Sequence, residues 1–569
     1  MIKGNPFIFK IVLLFYLSIQ LSPKSYSTNV GEDDKYRLPL NLPISLSGNY
    51  GELRSTHFHS GIDLRVGGVS GAPVYSAMDG YISRISVSPV GYGHALYICH
   101  PNGTTTLYGH LMNFTPNVAK WVEEMQYSKR SFQVNLYPDS LKFPVKKGEL
   151  IGNAGNSGSS GGPHLHFEIR ETQRQIPLNP VTTAKYSIPD KTPPQIRRVN
   201  IYSLQNAKYL PESTLLSSYN AEPKSIVAVS DTFYVAVDAI DKMEGTYAKL
   251  AIHTYSFFLD DTLVFSFTPD KIPFDKGKYI NSIVEYSEKQ KYGISMVKSY
   301  VEPGNGLRQN IASRGDGIFI VTGDTVHTVR IVAGDISGNI TEWSFKVKAT
   351  VKPPVSDLTQ LSDKQQIMPW YLPNRFQMGD ILLTLPTGSL YRSIIFSADT
   401  IPAAGGKVWS LGNPEVPLHN QAKLSLSLPG NNLPAEKLFI VRLKESGGLQ
   451  YCGGEWREGR FETSISSFGK YAISLDTIPP VVVPHFKRNE NLSGRNSLKF
   501  TVKDDISGIQ SLEVKIDGEW VLYNHDPKSN SLTVKLNPLR IKKGGAHELE
   551  VSVADNRNNI SRVKIGFVW

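Results

Sequence analysis

Gly162-Pro163-His164-Leu165-His166-Phe167-Glu168-Ile169-Arg170 reads as a strand with two chemically distinct faces. From His164 onward polar and apolar residues alternate, and successive side chains of a strand point to opposite sides. His164, His166, Glu168 and Arg170 therefore share one face, and Leu165, Phe167 and Ile169 bury the other. Two imidazoles on one strand face suit a metal, or a metal ligand beside a catalytic base. Taken alone, a His-x-His pair reads more simply as a polar strand edge, so the rest of the chain must decide.

Two further segments do. In His57-Phe58-His59-Ser60-Gly61-Ile62-Asp63, His59 and Asp63 lie four apart with Gly61 between them. Gly61 and the polar run before it argue against a helix, so a strand or turn must bring the two together. A borderline metal such as zinc accepts imidazole nitrogen and carboxylate oxygen. Two histidines and one aspartate leave a fourth position for water, the ligand count of a catalytic zinc site; structural sites are closed and often cysteine-rich. The two cysteines, Cys99 and Cys452, fall in different predicted domains, so neither a disulfide framework nor a zinc site is expected from them. The other segment is Tyr108-Gly109-His110-Leu111. Seven of the 13 histidines lie before about residue 190, which points to where the chemistry is.

In this order, His-x-Gly-x-Asp (His59 to Asp63), Tyr-x-His-Leu (Tyr108 to Leu111) and His-Leu-His-Phe-Glu (His164 to Glu168) resemble the lysostaphin-like (LytM-type) family of zinc peptidoglycan endopeptidases. Gly71 to Ala77 and Asp79-Gly80 resemble its glycine-rich core strands. Lys147 to Gly152, followed by Gly155-Asn156-Ser157-Gly158, resembles the approach to its last motif. The resemblance spans roughly residues 45 to 172. It implies an antiparallel β-sheet metallopeptidase domain with Zn2+ held by His59, Asp63 and His166, and with His110 and His164 as non-ligand catalytic histidines. The implied reaction is metal-assisted hydrolysis of the peptide cross-links of bacterial peptidoglycan. One of His110 and His164 would take a proton from water, and the other would stabilise the oxyanion or protonate the leaving amine. Glu168 would orient a histidine from outside the ligand set or serve structure alone. His57 and His94 match no functional position, and His100 is expected to be structural. Some members of the family are inactive and instead activate other wall hydrolases, typically having lost ligand residues. All five positions are intact here, which leaves a non-catalytic wall-binding activator as the alternative reading. Gly155 to Gly162 lacks the Gly-Lys-Ser/Thr ending of a phosphate loop and reads as a tight loop delivering His164 and His166.

Around these motifs short β signals dominate. Asp79-Gly80 and Pro101-Asn102-Gly103 lie between strand-like runs and read as hairpin turns. One helix is expected after Thr115-Pro116, where Val118, Trp121, Val122 and Met125 form a single apolar stripe. This interruption, about 113–141, follows His110 and would wall or cover a substrate groove.

The whole chain is read as mostly β, a metallopeptidase domain (28–190) followed by two or three β-sandwich domains. Thr192-Pro193-Pro194 resembles Ile478-Pro479-Pro480, and Asp335-Ile336-Ser337-Gly338-Asn339 resembles Asp555-Asn556-Arg557-Asn558-Asn559. Asp504-Asp505-Ile506-Ser507-Gly508 is a further turn of that character. These repeats suggest immunoglobulin-like domains at 191–351 and 477–569, with a β-rich stretch of unnamed fold at 352–476. They are read as spacers or as modules that bind the wall or a protein partner.

Residues 1–27 read as a signal peptide: Lys3 and Lys10, a mostly apolar run from Ile11 to Leu21, and Ser25-Tyr26-Ser27 as a cleavage site. The expected location is periplasmic or extracellular, with no transmembrane segment after signal removal. The formal charge of +10 falls to about +7 without Lys3, Lys10 and Lys24, which suits anionic wall polymers or membrane surfaces. No dense basic cluster points to nucleic acid. The expected substrate is the peptide stem of peptidoglycan; which bond is cut is not legible.

Overall fold

The computed structural model describes residues 35–353, 361–403, 406–427 and 434–569. The signal-peptide reading of residues 1–27 lies outside them.

Eleven strands and one helix build the histidine-rich part: β1 (Leu46–Gly48), β2 (Ile62–Arg65), β3 (Pro73–Tyr75), β4 (Gly80–Val87), β5 (His94–Cys99), β6 (Thr104–Phe114), α1 (Pro116–Lys129), β7 (Val134–Leu136), β8 (Pro144–Val145), β9 (Leu150–Ala154), β10 (His164–Glu171) and β11 (Pro177–Leu178). They form one antiparallel sheet with the main order β1-β2-β10-β6-β5-β4-β7, and β9 joins β3 to β6. The expected strand is thus β10, at the centre, between β2 and β6. Its register sets His166 opposite Asp63 on one side and Gly109 on the other. Leu165, Phe167 and Ile169 are buried in a core with Ile62, Leu64, Tyr108 and Ile151.

The polar face of β10 is buried as well. Glu168 is 0% exposed and Arg170 only 5%. The cover comes from beyond residue 190: Arg170 lies under the Phe274 ring, 4.6 Å from its centroid. The region read as a spacer therefore closes over the chemistry-bearing strand. It also receives Phe58, which is buried in that region's core with Val199, Phe257 and Ile331.

Pro101-Asn102-Gly103 does turn β5 into β6. Asp79-Gly80 does not close a hairpin, because β3 pairs with β9 rather than with β4. Gly80 serves close approach instead, since a Cβ there would lie 2.1 Å from the Cys99 carbonyl oxygen. The Asp79 carboxylate accepts from the Lys147 amide and Lys146 Nζ.

α1 begins where expected, with Pro116 in its first turn, although Thr115 makes no side-chain cap. Val118 and Val122 join the core, and Trp121 and Met125 pack against it. Its outer face meets the C-terminal sandwich. Glu123 binds Lys535 and Asn537, and the Tyr127 ring meets Trp520 edge-on at 5.4 Å.

Three further pairs of sheets follow, each pair sharing one core. The cores centre on Val235 with Phe257, on Phe396 with Leu424, and on Phe500 with Val551.

Candidate metal centre

β2 can run against β10 only because Gly61 has no side chain: a Cβ there would sit 2.3 Å from the Phe167 carbonyl oxygen. That approach brings Asp63 across from His166 and carries His59, just before the strand, over the same face. His59 Nε2, Asp63 Oδ1 and His166 Nδ1 come together, all three residues buried. The two nitrogens are 3.1 Å apart, and Asp63 Oδ1 lies 3.1 Å from His59 and 2.9 Å from His166. These separations are close to the roughly 3.3 Å edge of a tetrahedron with zinc–ligand bonds of about 2.0–2.1 Å.

The hydrogen bonds behind the donors fix their protonation. His59 Nδ1 donates to the Asn49 carbonyl at 2.8 Å, which leaves Nε2 with its lone pair. His166 Nε2 donates to Glu168 Oε1 at 2.8 Å, which leaves Nδ1 with its lone pair. Three acceptors thus converge, and acceptors that close are stable only around a cation. The set fits zinc, with the outer hydrogen bonds that metal-binding histidines use. With protons as the only cations, burial works against charge on His166, yet Asp63 and Glu168 push its pKa up to about 9. Burial likewise opposes ionisation of Asp63, but His59, His164 and His166 hold it well below the usual carboxylate range. Asp63 Oδ2 accepts from Arg54 Nη2 at 2.9 Å, so only Oδ1 faces the other donors.

Glu168 is saturated. Its Oε1 accepts from Ser60 Oγ, Tyr92 OH and His166 Nε2, and its Oε2 pairs with Arg170 Nε at 2.6 Å. Despite burial, Arg170 and His166 hold it far below the usual range. Of the two sequence readings for Glu168, the geometry fits the orienting one.

His110 reaches the site through a backbone irregularity. Tyr108 pairs with Phe167 on the core side, and Gly109 with His166 on the site side. Strict alternation would send His110 into the core. Instead its φ is +59°, and Leu111 takes the core position at 0% exposure. Two successive residues thus face the site, the effect of a bulge. The His110 ring lies 4.8 Å from that of His164 and 5.8 Å from that of His166. His110 Nδ1 donates to the Ser157 carbonyl and His164 Nδ1 to the Gly162 carbonyl, both at 2.8 Å. The glycine-rich loop therefore sets both tautomers and leaves each Nε2 free to accept a proton. His164 Nε2 points to Asp63 Oδ1, 3.4 Å away. Burial first, then His166 and His164, push the pKa of His110 down to about 3.

The model for peptidase family M23 matches residues 57–127 and 140–180. A 132-residue segment is 36% identical to the DD-carboxypeptidase/endopeptidase Mpg of Neisseria gonorrhoeae, covering 23% of this chain and 24% of that protein. The chain carries a lysostaphin-like M23 peptidase domain. The gap in the family match, 128–139, falls inside the interruption that contains α1 and β7. The M23 domain is also 27% identical over 136 residues to the cell division protein DipM of Caulobacter vibrioides, covering 24% of this chain and 18% of that one. The match thus spans a quarter or less of each of these relatives. Among solved structures, the catalytic domain of lysostaphin from Staphylococcus simulans aligns at 23% identity, over 24% of this chain and 90% of that one, with TM-score 0.18. That of EnpA from Enterococcus faecalis aligns at 25% identity, over 24% and 89%, also with TM-score 0.18. A Zu5-like domain model matches residues 365–476, within the stretch whose fold the sequence reading left unnamed.

All five sequence-singled residues meet at the centre of the M23 domain. His57 is exposed and His94 half-buried, while His100 is held by Asp79 and Thr106. The sequence reading missed Asn49, Arg54, Ser60 and Tyr92. Ser60 stands inside the first motif without an expected role, while Asn49, Arg54 and Tyr92 lie outside the motifs and reach them only through the fold.

Proposed function

We propose that this protein is an exported zinc metalloendopeptidase that hydrolyses peptide cross-links of bacterial peptidoglycan. One observation carries the reading: three buried acceptor atoms converge 2.9–3.1 Å apart, with two proton-accepting imidazoles beside them. His59, Asp63 and His166 would hold the zinc. Bound zinc supplies polarisation of a carbonyl and acidification of water. Asn49 and Glu168 keep the ligand nitrogens unprotonated and aimed. His110 and His164, held at Nδ1 by loop carbonyls, present Nε2 to the substrate. One, neutral, would take a proton from water at Nε2; the other would act only when Nε2 is also protonated, giving that proton to the leaving amine or hydrogen-bonding the oxyanion with it. The depressed basicity of His110 keeps its ring neutral at neutral pH. Substrate class follows the Mpg relative, whose name joins DD-carboxypeptidase and endopeptidase.

The proposed layout is a signal at 1–27, the peptidase domain at 28–190, immunoglobulin-like domains at 191–351 and 477–569, and the Zu5-like stretch within 352–476. Among the described residues no helix is long and apolar enough to cross a membrane. The later domains would bind wall or protein partners in the cell envelope.

The test is digestion of purified sacculi by zinc-loaded protein, with His166→Ala alongside and products weighed by mass spectrometry. Loss of cross-linked muropeptides with the wild type only is the expected result. Intact cross-links across several wall types, with zinc bound, would overturn it.

A further inference from the structure

The repeated aspartate motifs noted in the sequence converge in space with further aspartates, once in the first and once in the last of the three sandwiches. Asp190, Asp241 and Asp335 offer carboxylate oxygens within 4.8 Å of one another, and so do Asp476, Asp504 and Asp555. The two groups are built alike. Asp335 Oδ1 accepts the amides of Ser337 and Asn339, and its Oδ2 accepts Asn339 Nδ2. Asp555 does the same with Arg557 and Asn559. Asn339 Nδ2 reaches on to the Asp190 carbonyl, and Asn559 Nδ2 to the Asp476 carbonyl. Asp190 and Asp476 each cap the amide two residues later, at Thr192 and Ile478. Each group thus ties the segment that enters a sandwich to a turn late in the same sandwich.

Lys437, a cation in contact with the second group, donates to the Asn559 side chain and the Arg557 carbonyl rather than to a carboxylate. Among the described residues none of the six carboxylates pairs with a lysine, arginine or histidine. Asp241 is 3% exposed and Asp476 0%, and each has one carboxylate oxygen with no hydrogen-bond partner. A buried carboxylate left that way beside two others is costly, and each triad holds one: Asp241 in the first, and the entry residue Asp476 in the second. Burial, with Asp335 and Asp190 adding to it, pushes the Asp241 carboxyl up to about 7.

We propose that each aspartate triad is a binding site for a hard divalent cation of the calcium type, clamping the entry of its sandwich. An all-oxygen, carboxylate-rich set without nitrogen or sulfur suits calcium, which takes six to eight oxygen ligands at about 2.3–2.6 Å and fills gaps with main-chain carbonyls and water. Magnesium, which demands near-ideal octahedral geometry, fits a turn-built set less well.

The experiment is equilibrium dialysis of zinc-loaded full-length protein against calcium in metal-stripped buffer, with thermal unfolding followed in parallel. The wild type is expected to take up two calcium equivalents, with affinity on the order of 10⁻⁴–10⁻³ M, and its unfolding midpoint to rise with calcium. Asp241→Asn and Asp476→Asn should each lose one equivalent, and the double variant both. No uptake by the wild type at millimolar calcium overturns the proposal, even if a variant fails to fold. Two equivalents retained in both folded single variants overturn it as well.

Discussion

Asn49 supports His59 from one side and holds the neighbouring sandwich from the other. Its carbonyl accepts the Nδ1 proton of His59 at 2.8 Å, while its side-chain amide exchanges two hydrogen bonds with the main chain of Ala251, at 2.7 and 2.9 Å. The position of His59, a proposed metal donor, is thereby tied to a domain that holds none of the five motif residues. Asn49→Ala removes both side-chain bonds and leaves the Ala251 groups unpaired. Each such loss costs about 1–3 kcal/mol, and support of this kind is worth roughly 10–100-fold in metal affinity. Denaturant unfolding and competition with a chromophoric chelator should show a fall in both stability and zinc affinity.

Glu168→Gln strips a buried charge from beside Arg170 and His166 and turns one of the two acceptor oxygens they share into a donor. Breaking a buried ion pair costs about 3–5 kcal/mol, so the variant should unfold at markedly lower denaturant and bind zinc about 10–100-fold more weakly. Unchanged stability would contradict the buried network.

His110 occupies left-handed backbone, which costs a non-glycine residue about 1–2 kcal/mol. His110→Gly should therefore fold as stably as the wild type or slightly better, while His110→Ala keeps the strain without the Ser157 bond. Both should retain zinc and lose about 10²–10⁴-fold in turnover, the usual worth of a positioned proton-transfer group. Zinc loss in either variant would assign His110 to the ligands.

The pH response follows from His166. Its folded pKa of about 9 exceeds the ordinary histidine value, so the metal-free protein binds more protons folded than unfolded between about 6.5 and 9. Its contribution is fully present below about 6.5 and is lost as pH rises through about 9. Zinc must displace that proton, so apparent zinc affinity should climb by up to about tenfold per pH unit toward pH 9. Titrations of chelator-stripped protein at several pH values check both trends.

The motifs were legible because each rests on short-range sequence. The alternation from His164 to Arg170 and the glycine at 61 report a strand pair without any knowledge of partners. The burial of Glu168 and Arg170 was not legible, since Phe274 arrives from over 100 residues away. Nor was the bulge at His110, which alternation alone would have sent into the core. Asp79-Gly80 misled for a related reason: the glycine answers a clash with Cys99, not a turn. The repeated aspartates were visible as turns, but their convergence depends on which strands each sandwich pairs.

The most direct measurement is anomalous X-ray scattering at the zinc edge from crystals of the zinc-loaded protein. The account predicts a single strong peak among His59 Nε2, Asp63 Oδ1 and His166 Nδ1, with His110 and His164 unbound beside it. Well-folded protein with no peak there at saturating zinc, or a peak ligated by His110, would contradict it.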